Sequence, residues 1–411
     1  MDNLLVLLTN YFPFYKGEEY LENELPIISR EFKKIIIISC MIDDTYTQTR
    51  RVPENVEIIR GGVSHSKIGK ANMIIKSLGN KPKEVRKLSY AQKLYSKYFE
   101  QRSMMIYENV KKDLILREIV SYRKVTIYSY WTYITARIGI EINSELLNKS
   151  AKIISRAHGY DLYENVSRLN FLPEREYIFE NIENIFPVSD NGTNMLKQKF
   201  PRYSSKFETR RLGTLDPKFS IVPKEFNKHL EIVSCSTVRN LKRINYIIDA
   251  LEILQKRKIK VKWTHIGSGP IFRDIQKYAE SKLLPNTFKL TGAIPNSKVI
   301  GIYESLEPDL FLNVSESEGV PVSIMEALSV GIPVLATNVG GTNEIVKNEY
   351  NGFLLNKETN GSDIASNIEL FMNLNRYEKK KLSENARKFW GETYDAEKNY
   401  NDFLNDILIE G

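Results

Sequence analysis

Apolar residues along this chain gather into short unbroken runs, separated by longer stretches in which they recur at helical spacing. In the first half the runs are "NLLVLLT", "KKIIIISCM", "EIIRG", "VTIYSYW", "KIISRAHGYD" and "NIFPVSD", and between the first two lies the helical pattern "EEYLENELPIISREF". A run with no polar alternation marks a parallel strand covered on both faces. Strands alternating with helices predict an α/β doubly wound sheet. A polar segment, "RRLGTLDPKFSIVPKEFNKH", separates this series from a second one. Its runs are "LEIVSCS", "VKWTHIG", "TFKLTGAI", "PDLFLNVS", "PVLAT" and "GFLL". The pattern therefore predicts two Rossmann-like halves joined near residues 213–230. The boundaries expected are 1–215, 216–385 and a helical segment 386–411, whose Gly391 predicts a kink returning the chain to the first domain. In such open sheets ligands sit beyond the carboxyl ends of the strands, so the loops there are where chemistry is sought.

Size and composition agree with this division. A chain of 411 residues exceeds what one core usually supports, and 42% apolar with 27% charged residues is ordinary globular usage. No apolar run is long enough to span a bilayer, and "MDNLLVLLTNYFP" lacks a basic leader, so a cytoplasmic protein is expected. Cys40 and Cys235 lie in strand-like runs and read as buried free thiols. The four histidines are scattered without metal-ligand spacing, and the paired aspartates of "IDDTY" sit in an early loop, so no metal is expected.

Charge changes the picture in one place. The net charge is +8, and residues 64–124 carry 15 Lys/Arg against 5 Asp/Glu, interleaved with Leu88, Tyr90, Leu94, Tyr95, Tyr98, Phe99, Met104, Met105 and Tyr107. A solvated helical face, a nucleic-acid patch and a face resting on anionic lipid all fit a charge run. No nucleic-acid recognition signature accompanies it, and the composition suits peripheral contact with an anionic membrane better.

The candidate chemistry centres on "NVSESEGVPVSIMEALSVGIPVLATNVGG", Asn313–Gly341. Ser315–Gly319 form the loop after a buried strand, Pro321 suits a first helical turn, and Gly331 stops the helix. Backbone N–H groups of Gly319 and Val320 at the helix start are ready to bind oxygens. A capping box from Ser323 to Glu326 would explain the inner carboxylate, but leaves too little helix before Gly331. Burying a carboxylate on so apolar a helix is costly without donors, and the paired hydroxyls of a ribose would supply them. Elsewhere, His158 follows a strand in "ISRAHGYDLY", Lys242 and Arg243 begin a helix in "VSCSTVRNLKRINY", and Gly267 opens a turn in "WTHIGSGPIF". A lone histidine there is more often structural than catalytic, and cations sit poorly at a helix start unless an anion is bound.

Glu318-x7-Glu326 followed by "EALSVGIPVLATNVGGTNEIV" closely resembles the signature of the family 4 retaining glycosyltransferases of GT-B fold. The resemblance implies two doubly wound domains facing each other across a cleft, the first for the acceptor, the second for a nucleotide-diphosphate sugar. It gives Glu326 the nucleotide ribose and places Glu318 by the transferred sugar, beside Gly319, Val320 and Pro321. "YFPFYKGEEYLENEL" resembles the family's glycine loop, with Gly17 approaching the donor phosphate or the acceptor. His158, Gly159 and Asp161 resemble its His-Gly-x-Asp segment, which places His158 by the reacting centre and Asp161 among the donor contacts, with Arg156 as a neighbour. Lys242 and Arg243 correspond to its phosphate clamp. Thr237 stands where an arginine is usual, and an offset reading uses Arg239 and Arg243. Gly267 is the turn near the nucleotide, and Ala293 and Ile294 are placed by the base.

The implied function is hexosyl transfer with retention, without metal or cofactor, to a saccharide acceptor. The basic stretch points to a polyprenyl-linked acceptor of a bacterial surface polysaccharide. A sugar-nucleotide 2-epimerase of GT-B fold and a non-catalytic nucleotide-sugar-binding protein are the alternatives.

Overall fold

The computed structural model describes residues 2–14, 17–62, 88–167, 169–223 and 229–408. The chain forms two compact units, Met1–Leu212 with Glu397–Gly411, and Gly213–Ala396. Each of the twelve apolar runs predicted to be a strand is one. Unit 1 contains β1 (Asn3–Thr9), β2 (Lys34–Ser39), β3 (Val56–Arg60), β4 (Lys124–Ser129), β5 (Lys152–Ala157) and β6 (Asn184–Pro187). Unit 2 contains β7 (Leu230–Cys235), β8 (Val261–Ile266), β9 (Phe288–Leu290), β10 (Leu310–Asn313), β11 (Val334–Thr337) and β12 (Gly352–Leu355).

The two six-stranded sheets have one topology. Unit 1 runs β3-β2-β1-β4-β5-β6, and unit 2, read in the same sense, β9-β8-β7-β10-β11-β12. All pairings are parallel, with Leu5 opposite Ile35 on one side and Thr126 on the other. Every residue of β1 is buried because helices cover both faces: Leu4, Val6 and Leu8 join one core cluster, while Leu5 and Leu7 are equally enclosed on the other face. Strand order reverses between β1 and β4, and again between β7 and β10. The crevice at the carboxyl ends of those pairs is the place this fold reserves for ligands.

The tail departs from expectation. The helix Arg376–Thr393 runs through Gly391 without a break and belongs to unit 2. The chain leaves at Tyr394–Asp395 instead, where Thr214 N–H donates to the Tyr394 carbonyl at 3.0 Å and Ala396 N–H to the Thr214 carbonyl at 3.1 Å. One glycine inside a helix costs only about 1 kcal/mol, too little to end one anchored up to that point by the buried stripe Leu382, Ala386 and Trp390. The last helix, Ala396–Ile407, packs on unit 1 through Tyr400, Phe403 and Ile407, and Thr126 Oγ1 donates to the Ile407 carbonyl at 2.9 Å.

The basic region divides in two. Residues 64–87 lie outside the described residues. The remainder enters the 27-residue helix Tyr90–Leu116, whose Phe99, Ile106, Tyr107, Val110 and Leu114 are core residues. Several aromatic and apolar positions that read as a surface face are therefore interior, because they recur at helical spacing on the side facing the sheet. Tyr90, Ile115 and Leu116 remain exposed.

Candidate functional site

In unit 2, the loops after β7 and β10 meet at the strand reversal. Lys242 Nζ lies 2.6 Å from Glu318 Oε1, with both side chains largely buried, and Asn313 Nδ2 donates to the same oxygen at 3.2 Å. Glu316 N–H donates to the Leu241 carbonyl at 2.8 Å, tying the two loops together. A third loop closes on them: Gly341 N–H donates to the Gly319 carbonyl at 2.8 Å. A Cβ on Gly340, where φ is +54°, would lie 1.8 Å from the Glu318 carbonyl oxygen. Only glycine allows that approach.

The helix Val322–Ser329 follows, with Pro321 in extended conformation just before it rather than in its first turn. Val320 and Pro321 are buried, and Gly319 is exposed. Gly331, with φ +80°, ends the helix as expected. Glu326 lies inside this helix at 6% exposure, and the capping-box alternative fails because neither Ser323 nor any other side chain caps the helix. Burial alone pushes the Glu326 carboxyl up to about 8. Its neighbours are the buried Tyr303 and Cys235, which is half-buried where the sequence predicts a buried thiol, and no cation among the described residues is seen to compensate it.

Lys242 and Arg243, adjacent in sequence, are separated by the fold. Arg243 adopts a left-handed backbone, and its Nη1 donates to the Lys357 carbonyl at 2.8 Å, away from Glu318. Arg239 and Thr237 are exposed on the same loop as Lys242. Gly267 backs the loop after β7, since a Cβ there would lie 2.0 Å from the Ser236 carbonyl oxygen. Its N–H donates to the Gly292 carbonyl at 3.1 Å, which places the following Ala293, exposed, and Ile294, half-buried, beside it.

The matching edge of unit 1 is built differently. His158 follows β5 and packs at a tilt against Trp131 and Tyr130, with centroids 4.4 and 4.8 Å away. Burial, and then the Arg156 charge, hold its imidazole down to about 3, and neither ring nitrogen has a hydrogen-bond partner. Asp161, expected at the donor, instead uses its two oxygens on the backbone: Oδ1 accepts from His158 N–H and Oδ2 from Thr132 N–H, both at 2.8 Å. It orients the histidine. Arg156 is not a site residue. It is fully buried, 3.6 Å from Glu24, with its guanidinium 4.1 Å from the centroid of Phe403 on the returning helix. Gly17 has φ +103°, and its carbonyl accepts from Arg50 Nη1 at 2.8 Å.

Glu18 went unrecognised in the sequence. Its carboxylate accepts backbone N–H groups from Asn10, Tyr11 and Phe12 at 2.7–2.8 Å and the Trp131 indole N–H at 2.6 Å. The only local signal is its place after Gly17. Its donors come from the β1 loop and from residue 131, which no spacing brings together. The aspartates Asp43 and Asp44 stand in unit 1, Asp44 3.4 Å from Arg60. No cluster of three or more His, Cys, Asp or Glu suited to a metal occurs among the described residues.

Comparison with known proteins agrees with this layout. The sequence profile of the family described as Glycosyl transferases group 1 matches residues 217–389, within unit 2. The chain is 27% identical over 242 residues to the putative colanic acid biosynthesis glycosyltransferase WcaL of Escherichia coli (strain K12), covering 58% of this chain and 59% of that one. It is 26% identical over 222 residues to the amylovoran biosynthesis glycosyltransferase AmsK of Erwinia amylovora, covering 51% and 53%. The match thus spans little more than half the length of these relatives. Among solved structures, the apo form of the lipopolysaccharide outer core galactosyltransferase WaaB is similar with a TM-score of 0.69 at 13% identity, covering 99% of this chain and 100% of that one. Anabaena Alr3699/HepE, solved in complex with UDP and glucose, has a TM-score of 0.63 at 14% identity, covering 99% of each. The fold is GT-B.

Proposed function

We propose that the chain, whose residues 217–389 match the Glycosyl transferases group 1 profile, moves a hexose from a nucleotide-diphosphate sugar to a saccharide acceptor. The observation that carries this reading is the Lys242–Glu318 pair at the strand reversal of unit 2. A cation and an anion side by side suit a donor whose diphosphate is negative and whose anomeric centre becomes positive as it leaves. Lys242 neutralises the departing diphosphate, with Arg239 the arginine free to join it since Arg243 is held elsewhere. Glu318 orients the sugar, and N–H groups at Gly319 and Val320 receive oxygens of the donor. Glu326 accepts the ribose hydroxyls, which supply the donors its burial requires.

The bond from the anomeric carbon to the diphosphate oxygen breaks, and the acceptor oxygen bonds the same face, which retains configuration. The acceptor proton passes to the diphosphate. This route needs neither a protein base nor a metal. His158 acts as a neutral hydrogen-bonding group, its imidazole held low by burial and by the Arg156 charge.

The acceptor we infer is a lipid-linked saccharide of a bacterial surface polysaccharide, supported by the two polysaccharide-biosynthesis relatives and by the basic stretch 64–124. That stretch would keep the chain at the inner face of the membrane. Among the described residues no helix is long and apolar enough to cross one. Charge neutralisation at Lys81, Lys83, Arg86 and Lys87, which lie outside the described residues, should abolish binding to anionic liposomes.

Screening nucleotide sugars for thermal stabilisation, then measuring nucleotide release with and without saccharide acceptors, tests the function. Acceptor-dependent release is expected. Acceptor-independent release would make the protein an epimerase or hydrolase, and none at all a binding protein.

A further inference from the structure

We propose that unit 1 carries a pyranose-binding platform formed by Trp131, Tyr160 and Asn10, which receives a neutral sugar ring of the acceptor; this rests on the transferase reading above. The platform stands where the loops after β1, β4 and β5 converge. The Trp131 and Tyr160 rings lie 4.6 Å apart at 32°, and Tyr133 meets Tyr160 edge-on at 6.1 Å. Tyr160 is 42% exposed despite this packing.

Two features point to a sugar. First, the indole is fixed by its N–H bond to Glu18 and by packing against His158, so it backs Tyr160 and the exposed Tyr160 ring presents the aromatic face. The face of an aromatic ring is electron-rich and suits the C–H surface of a pyranose. Second, Asn10 is 8% exposed, and its Nδ2 donates to Tyr160 Oη at 2.7 Å while its Oδ1 has no partner. Whichever way the amide is turned, one polar atom stays buried and unmatched, which a sugar hydroxyl can satisfy as donor or acceptor.

The backbone of Asn10 is itself pinned, its N–H donating to Glu18 at 2.7 Å, so the group is preorganised. The Glu18 carboxylate at the indole N–H selects by charge. A phosphate or uronic acid on this face would meet a fixed anion, whereas a neutral ring would not. An aromatic face with one or two placed polar groups is the usual make-up of a small-ligand site.

The test is a titration of the full chain with methyl glycosides of glucose, galactose and N-acetylglucosamine and their β-linked disaccharides, read by tryptophan fluorescence. Of the three tryptophans, Trp263 and Trp390 are buried in unit 2 at 1% and 2% exposure, so Trp131 is the reporter. A saturable change with at least one glycoside is expected. It should weaken roughly tenfold in Tyr160→Ala and only about twofold in Tyr160→Phe, which keeps the ring. No saturable change with any of them, or Tyr160→Ala titrating like the parent, overturns the platform. Melting curves of both variants, expected to match the parent, exclude a folding defect. Nucleotide stabilisation is measured in parallel. Its loss with the glycoside response intact rejects the transferase reading alone, and the reverse rejects the platform alone.

Discussion

The two sheets share one strand order, yet their carboxyl edges hold buried carboxylates in opposite conditions. In unit 1, Glu18 accepts four N–H groups and Asp161 two. In unit 2, Glu326 is as deeply enclosed, but its environment is set by desolvation alone. The satisfied carboxylates act as braces: they hold loops and orient Trp131 and His158. The one set by desolvation is the proposed receptor, because the ribose hydroxyls of a donor would bring the hydrogen bonds its burial calls for. Burial by itself does not separate structural from functional acids; the partner inventory does.

The largest effect expected from attacking this contrast is at the ion pair. Lys242→Ala should lower turnover by roughly 10²–10³-fold in a nucleotide-release assay. The neighbouring Arg243→Ala, losing only the Lys357 carbonyl, should change it less than about threefold. Equal losses would return Arg243 to the phosphate.

Removing the brace comes next. Glu18→Ala strands four donors, two of them on buried residues, and should destabilise unit 1 by roughly 3 kcal/mol in urea unfolding. Glu326→Gln should do the reverse to stability while weakening nucleotide binding roughly tenfold or more. Its sign follows from the raised carboxyl. Between about 4.5 and about 8 the folded state holds a proton that the unfolded chain has released. Parent stability therefore declines as pH rises, by about 1.4 kcal/mol per pH unit in that window. The Gln variant should lack this decline, so the two should diverge towards pH 8 and agree near pH 4.

The smallest effect concerns His158. Its imidazole is depressed to about 3, so the unfolded chain takes up a proton below about 6.5 that the folded one refuses. It should contribute a loss of stability on acidification from about 6.5 towards 3, and no limb to the pH–rate profile between 5.5 and 8. A His158→Asn variant whose profile changed shape there would show that the imidazole titrates during turnover.

Much of this was legible in the chain because it is local. Each strand is a contiguous apolar run, and Glu318 with Glu326 fall on one strand–loop–helix whose turn residues mark its ends. What escaped reading depends on partners distant in sequence. Arg156 looked like a companion of His158 in the site, but its guanidinium is taken up by Glu24 and by Phe403 of the last helix, partners more than a hundred positions away. Asp161 looked like a donor ligand, but Thr132 claims one oxygen. Gly391 looked like the exit from unit 2, but the buried stripe leading up to it carries the helix on to Thr393.

By itself, then, the sequence determined the order and type of the elements, the two-sheet division, and the loop that carries Glu318 and Glu326, since hydrophobic period and turn chemistry act between near neighbours. Only the tertiary structure decided which cation faces Glu318, which buried acids are satisfied, and which aromatics stand at the edge of unit 1. Those outcomes turn on a few ångströms between residues tens to more than a hundred positions apart, which composition and spacing do not encode.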